Sequence, residues 1–226
     1  MGRPTTIAID GPAASGKSTL GALLADDLGY LYFDTGVMYR AVTLAALQRG
    51  LSIDDEAAVG DLARQVCIDV RPPSVADGRA YDVLLDGQDV TWAIRTDAVN
   101  AHVSPVSTYA AVRKAMTDQQ RRIAHEQPVV MVGRDIGTVV VPEADLKIFL
   151  DASVEIRAER RYQEMVSRGE HPDFDVVLAS LRKRDRIDSS RAIAPLKPAE
   201  DAVVICADDL SILEVLQKAK ELVNHV

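Results

Sequence analysis

The chain has 226 residues, 47% of them apolar and 27% charged, with a formal net charge of −8 and a pI near 5.0. That length suits one generous domain, or a core with an insertion, and the composition excludes a chain too polar to bury a core. The acidic balance argues against a general nucleic-acid binder but leaves room for a local basic pocket that takes a small anion.

In chain order, residues 5–10 (TTIAID) predict a short buried strand that stops at a glycine. Leu20, Leu23, Leu24 and Leu28 then recur at helical spacing, with Gly29 as the stop. A second strand is expected over 30–33, a helix through 39–48, and another over 54–66 with acids in its first turn. Residues 67–92 change character. Asp77-Gly78 and Asp86-Gly87 are hairpin signals between short β-prone segments, so a small antiparallel meander is expected apart from the main sheet. Helices are expected over 106–126 and 153–168, strands at VVMV (129–132), LKIFL (146–150) and VVIC (203–206), and a last helix over 210–223. This alternation reads as an α/β fold with a parallel sheet.

Cys67 and Cys206 lie in apolar runs without metal-ligand spacing and read as buried thiols in a reducing compartment. No apolar run approaches the ~18 residues of a membrane span, and the first ten residues hold no signal-peptide core. Met1-Gly2 with Thr6 matches a loose myristoylation pattern, which is read as coincidence. A cytoplasmic monomer that binds neither membrane nor nucleic-acid polymer is expected. Of the 26 basic residues 19 are Arg, whose planar fork suits carboxylates and phosphates.

The strongest motif is GPAASGKST, residues 11–19, where Gly11, Gly16, Lys17 and Ser18 satisfy G-x-x-x-x-G-K-[ST]. A strand feeds it and a helix leaves it, as phosphate binding requires. Backbone N–H groups of Gly11, Pro12-Ala13-Ala14-Ser15, Gly16 and Thr19 surround the phosphates, proline excepted because it has no N–H. The helix N-terminus adds its positive end. Lys17 reaches the β- and γ-phosphates and Ser18 ligates Mg²⁺, so ATP with Mg²⁺ is the expected ligand. The Asn-Lys-x-Asp of a GTPase is absent, and Asp151, after an apolar strand, is followed by Ala and not by a second acid. A small-molecule kinase needs neither feature, only an acceptor pocket and a basic cover that excludes water.

After the loop, FDTGVMYRA (33–41), NAHVSPVSTYAAVR (100–113), GRDIGTVVVP (133–142), KIFLDAS (147–153) and RDRIDSSRAIAPL (184–196) resemble blocks of bacterial cytidylate kinases, in that family's order. The pair GRDIGTVV and RAIAPL carries the resemblance most specifically. It implies a nucleoside monophosphate kinase fold: a parallel five-stranded P-loop sheet flanked by helices, a small antiparallel β insert and a helical lid. The implied parts are a core over 1–36, 106–156 and 192–226, a monophosphate-binding domain over 37–105, and a lid with its adjoining helix over 157–191. The implied activity is transfer of the γ-phosphoryl group of ATP to CMP or dCMP.

By the same resemblance, Thr35 touches the acceptor, Arg40 and Arg134 meet its phosphate, and Ser104, Arg113 and Asp135 contact cytosine. Arg184, Asp188 and Arg191 hold ribose and phosphate. Arg160 and Arg161 approach the transferring phosphoryl group beside Lys17 and Arg134; otherwise they form a surface pair with Arg160 bonded to Glu164. Three positions depart from the family pattern: Thr35 for Ser, Ala110 for Pro, and Val132 where an acid is common on the site's floor. Asp34 reads equally as an acid near Mg²⁺ or as a strand end. Tyr39 reads as packing, and no histidine is given a role.

The run RKRDRIDSSR (182–191) divides into two faces if the helix continues through it. Val177, Leu181, Arg184, Asp188 and Arg191 form one stripe, running from core to cleft, with Asp185 beside it to orient its arginines. Arg182, Arg186 and Ser189 form a solvated one. The rival readings are another small-molecule P-loop kinase, a regulator that binds ATP without turnover, and, weakest, a nucleic-acid binder.

Overall fold

The computed structural model of the chain describes residues 3–191 and 193–225; the Met1-Gly2 start of the acylation-like pattern lies outside them. The chain opens with β1 (Thr6–Asp10), α1 (Lys17–Leu28), β2 (Leu31–Asp34), α2 (Gly36–Gln48) and α3 (Glu56–Gln65). Three short strands follow, β3 (Ile68–Arg71), β4 (Asp82–Leu85) and β5 (Gln88–Asp89), then α4 (Asp97–Val106) and α5 (Ala110–Glu126). Next come β6 (Val129–Gly133), a π-turn over Ile136–Val140, and β7 (Leu146–Asp151). The last elements are α6 (Val154–Ser167), α7 (Phe174–Ser190), β8 (Val203–Cys206) and α8 (Ile212–His225).

Five strands form a parallel sheet in the order β2-β6-β1-β7-β8, and β3-β4-β5 form the expected antiparallel meander. The central strand β1 pairs with β6 on one side and β7 on the other, with Asp10 opposite both Gly133 and Phe149. Ile7, Ala8 and Ile9 are fully buried because helices cover both faces, which is why the strand is an unbroken apolar run. From β1 the chain goes to β2 on one side and later returns to β7 on the other. Sheets of this kind bind ligands at the strand C-termini where the order reverses.

One core joins the sheet to α2, α3, α5 and the meander through Phe33, Met38, Ile68 and Met116. A second lies under α1 and α8, around Ile7, Leu20, Leu24 and Val215. A third, smaller one sets Ala13 of the phosphate loop against Ala158 of α6 and Val177 and Leu181 of α7. Among the described residues no helix is long and apolar enough to cross a membrane.

Four expectations change. The helix expected over 106–126 starts only at Ala110, because an unexpected helix, α4, fills 97–106; Ser107 Oγ and Thr108 Oγ1 donate to the Ser104 and Pro105 carbonyls at 2.8 and 2.7 Å and close α4 before α5 starts. Asp86-Gly87 makes the tight β4–β5 turn with both φ values positive, but Asp77-Gly78 sits inside a longer connection, where Asp77 accepts from Arg79 and from Trp92 Nε1. Cys67 and Cys206 are exposed, the latter on edge strand β8, whose Val203 and Val204 are exposed too. Val132 does not face the site's floor; a Cβ on Gly21 would lie 2.4 Å from Val132 Cγ2, so its side chain packs into the core under α1. The Ala110 departure is harmless for a simple reason. The position opens α5, where an alanine and a proline serve equally, and Tyr109 already has the extended φ −66, ψ 123 that precedes a proline.

Candidate active site

The loop after β1 is shaped by its glycines. A Cβ on Gly11 would lie 2.2 Å from the Leu150 carbonyl oxygen of β7, so only glycine lets the loop leave β1 beside that strand. Gly16, at φ 94, then turns the chain into the first turn of α1. Lys17 is buried and its Nζ donates to the Pro12 carbonyl at 2.8 Å, folded along the loop. Burial, and after it Arg134, pushes the ammonium well below the ordinary lysine range, against the pull of Asp34 and Asp10. Ser15 Oγ is buried without a partner among the described residues, a polar atom that a phosphate oxygen would satisfy.

Two cavities flank this loop. The first, about 970 Å³, is lined by residues 13–19, by Arg160, Arg161 and Met165 of α6, and by Leu210, Ser211 and Ile212 at the start of α8. The second, about 780 Å³, contains every acceptor-site residue expected from the sequence: Thr35, Arg40, Ser104, Arg113, Arg134, Asp135, Arg184, Asp188 and Arg191. Ala13, Ala14, Lys17, Ser18, Arg40, Arg161 and Arg184 line both, so the cavities meet at the phosphate loop.

In the second cavity, Arg113 Nη2 and Asp135 Oδ2 form a buried ion pair at 2.5 Å. The Arg113 guanidinium lies 5.7 Å from the Tyr39 ring centroid, so Tyr39 does more than pack: it carries the cation on its face. Arg113 Nε is buried without a partner among the described residues. Across the cavity Asp188 is buried between Arg134, whose Nε donates at 2.9 Å, and Arg191. Arg40 is held by Asn100 Oδ1 at 2.5 Å and by the Ile94 carbonyl at 3.2 Å. Thr35 Oγ1 donates to the Val132 carbonyl at 3.0 Å, which fixes the hydroxyl at the cavity wall. Asp34 accepts from Ser18 Oγ at 3.2 Å and from the Gly36 N–H at 3.0 Å. It is therefore both a strand-end cap and an acid beside the loop serine.

Several sequence expectations are corrected here. Arg160 does not pair with Glu164; it donates to the Ser15 and Ala207 carbonyls, while Arg161 takes Glu164 at 2.8 Å. Asp185 does not orient the arginines of its stripe. It accepts both ends of Arg157, at 3.0 and 2.5 Å, and Arg157 also donates to the Ala13 and Ala152 carbonyls. Arg191 lies just past the end of α7 rather than on it, yet still lines the cavity. Of the other face, Arg182, Arg186 and Ser189 are exposed as expected, with Arg182 paired to Glu155. Arg157, Asn100 and Asp10 escaped the sequence reading; their one trace is position, next to a motif or a predicted element end.

Hard oxygen donors from Ser18 and Asp34 suit Mg²⁺, which takes few protein ligands and keeps phosphate and water oxygens. Among the described residues no group of three or more His, Cys, Asp or Glu could hold a metal by itself.

Comparison with known proteins places the fold and the family. The chain is similar in fold to an uncharacterised protein from Eubacterium ventriosum of solved structure, with TM-score 0.54 and 12% identity over 98% of this chain and 99% of that one. A cytidylate kinase of Chloroflexus aggregans is 54% identical over 93% of this chain and 90% of its own length. A cytidylate kinase of Herpetosiphon aurantiacus is 51% identical over 96% and 93%. The cytidylate kinase family matches residues 7–225. By that match, and by majority identity with its members along nearly the whole length, the chain belongs to the cytidylate kinase family.

Proposed function

We propose that the protein transfers the γ-phosphoryl group of MgATP to CMP or dCMP, giving ADP and CDP or dCDP. The observation that carries this reading is the meeting of the two cavities at Lys17, Arg40, Arg161 and Arg184, with the Arg113–Asp135 pair in the second. ATP takes the first cavity and the monophosphate the second. An ionised oxygen of the CMP phosphate attacks the γ-phosphorus, the bond from that phosphorus to the β–γ bridging oxygen breaks, and ADP leaves with the electron pair. No general base is required, because the nucleophile is already ionised. The protein's work is alignment and charge neutralisation.

Each group has a task in this reading. Lys17, Arg161 and Arg184 neutralise charge where the cavities join, and Arg160 holds the loop backbone from behind. Arg40, Arg134 and Arg191 take the acceptor phosphate, with Asp188 on the ribose. Asp135 accepts from the cytosine amino group while Arg113 and Ser104 donate to the other edge. Uracil would set a carbonyl against Asp135 and leave two acceptors facing each other. Ser18 and Asp34 would hold Mg²⁺, which supplies charge stabilisation to the phosphates. Residues 157–191 form the lid over the join and 37–105 the acceptor-binding part. One chain lines both cavities, so the site is complete within a single subunit and needs no partner copy; a cytoplasmic monomer is the form proposed.

A coupled ADP-release assay with CMP, dCMP, UMP, AMP and shikimate tests the reading. CMP or dCMP is expected to give the highest kcat/KM; a better rate with any of the other three overturns it.

A further inference from the structure

The reaction above leaves Asp10 unused, although it sits at the end of the central strand directly before Gly11 and is only 5% exposed. It lines neither cavity. Its two oxygens accept separate backbone bonds across the sheet, Oδ1 from Ile136 N–H and Oδ2 from Gly137 N–H, each at 2.8 Å. These amides follow Arg134 and Asp135 immediately. We propose that Asp10 is a positioning residue for base selection, holding the segment that carries Arg134 and Asp135 in register with the start of the phosphate loop. This rests on the reading of Asp135 as the residue that reads cytosine.

The backbone leaves Asp10 little alternative. The β1–β6 ladder ends at Asp10 opposite Gly133, so Arg134 and Asp135 depart from the sheet without a strand partner. Downstream, the Asp135 carbonyl is fixed by the Val139 and Val140 N–H groups at 2.9 and 3.1 Å. The amides of Ile136 and Gly137 open this π-turn and have no acceptor within it, so the turn needs an external carboxylate to hold its near end. Neighbouring space is full: a Cβ on Gly133 would lie 2.5 Å from Ile136 Cδ1 and 2.9 Å from Thr35 Oγ1. A shift of the segment therefore moves Thr35 as well as Asp135, and both line the acceptor cavity. Burial pushes the Asp10 carboxyl up to about 6, with the two N–H donors and then Lys17 opposing and Asp135 adding to the rise. A carboxylate kept in so unfavourable a place is consistent with a demand for two acceptors on one side chain.

Asp10→Asn offers one acceptor oxygen to two donors and sets an NH₂ against the second. At pH 8, where wild-type Asp10 is ionised, the variant is expected to bind ATP within about threefold of wild type, yet to raise KM for CMP and narrow the CMP-over-UMP ratio of kcat/KM about tenfold each. Loss of kcat alone with that ratio unchanged, the signature of a smaller active fraction, overturns the proposal. Should Asp10→Asn fail to fold, Asp10→Glu keeps both acceptors but displaces them, and the same narrowing is expected; an unchanged ratio again overturns it. In the wild type, hydrogen exchange of the Ile136 and Gly137 amides is expected to slow about tenfold more with saturating CMP than with saturating UMP, and equal slowing counts against the idea. A wild-type enzyme without CMP preference sinks the functional reading itself. A preference that survives Asp10→Asn sinks only this inference.

Discussion

The roles proposed for Lys17 and Asp135 differ, and single substitutions should separate them. Lys17 stands where the two cavities join, so removing its charge acts on the transferring group. Lys17→Ala is expected to lower kcat at least ~100-fold, while calorimetry finds CMP affinity within ~3-fold of wild type. Asp135 is better tested with Asn than with Ala. Alanine would strand the buried Arg113 charge at a cost of about 3–5 kcal/mol, mixing folding with selectivity. An amide at 135 accepts from Arg113 and can donate to a uracil carbonyl, so Asp135→Asn is expected to narrow the CMP-over-UMP preference by about one to two decades. An unchanged preference removes Asp135 from base reading. Lys17 could be singled out by the fixed spacing of the G-x-x-x-x-G-K-[ST] motif, and Asp135 only through the family resemblance carried by GRDIG. Arg157 and Asp10 were not legible, since a side chain that turns inward to satisfy backbone groups leaves no periodic trace among so many arginines and aspartates.

At the scale of elements, helices and strands were legible wherever one face is buried. The stripe of α7 is an example: Val177 and Leu181 reach the third core and Asp188 is buried in the cavity. Legibility failed where side-chain hydroxyls decide, as between α4 and α5, or where an apolar strand lies at an edge, as in β8. Missing from the periodicity altogether was the tie between the hairpin of α6 and α7 and the phosphate loop. Arg157 makes it, bonding Asp185 of α7 and the Ala13 carbonyl together from a position 4% exposed. Through α7 this tie also sets Arg184 and Asp188. Arg157→Lys and Asp185→Asn are each expected to lower stability in urea by about 2–4 kcal/mol. The double variant should lose less than their sum, leaving a coupling of about 1–3 kcal/mol, and strict additivity would mean the pair does not act as a unit.

The whole molecule is acidic while its acceptor cavity is basic: eight arginines and Lys17 line it against Asp34, Asp135 and Asp188, in a chain of net charge −8. The excess acid lies outside, where carboxylates such as the exposed Asp145 and the half-buried Asp69 are bonded by neighbours. Asp145 accepts from Thr5 and Thr6, Asp69 from Arg122 and Arg71, and both titrate below the usual carboxylate range. Groups of that kind stabilise the fold above the unfolded aspartate pKa of about 3.9 and lose this as pH falls through their folded values. Asp10 has the opposite sign. Its folded pKa is pushed up to about 6, chiefly by burial, so its contribution is full below the unfolded value and is lost as pH rises through about 6. The two classes therefore act in separate windows, the depressed carboxylates below pH ~4 and Asp10 between pH ~4 and ~6.5. A shift of roughly two units makes the second term on the order of 3 kcal/mol. Urea melts from pH 4.5 to 7 are expected to show wild-type stability falling by that order, and Asp10→Asn, which cannot ionise, to lack the decline. Parallel curves for the two proteins would mean that Asp10 does not take up a proton in the folded state, and that its two backbone bonds outweigh its burial.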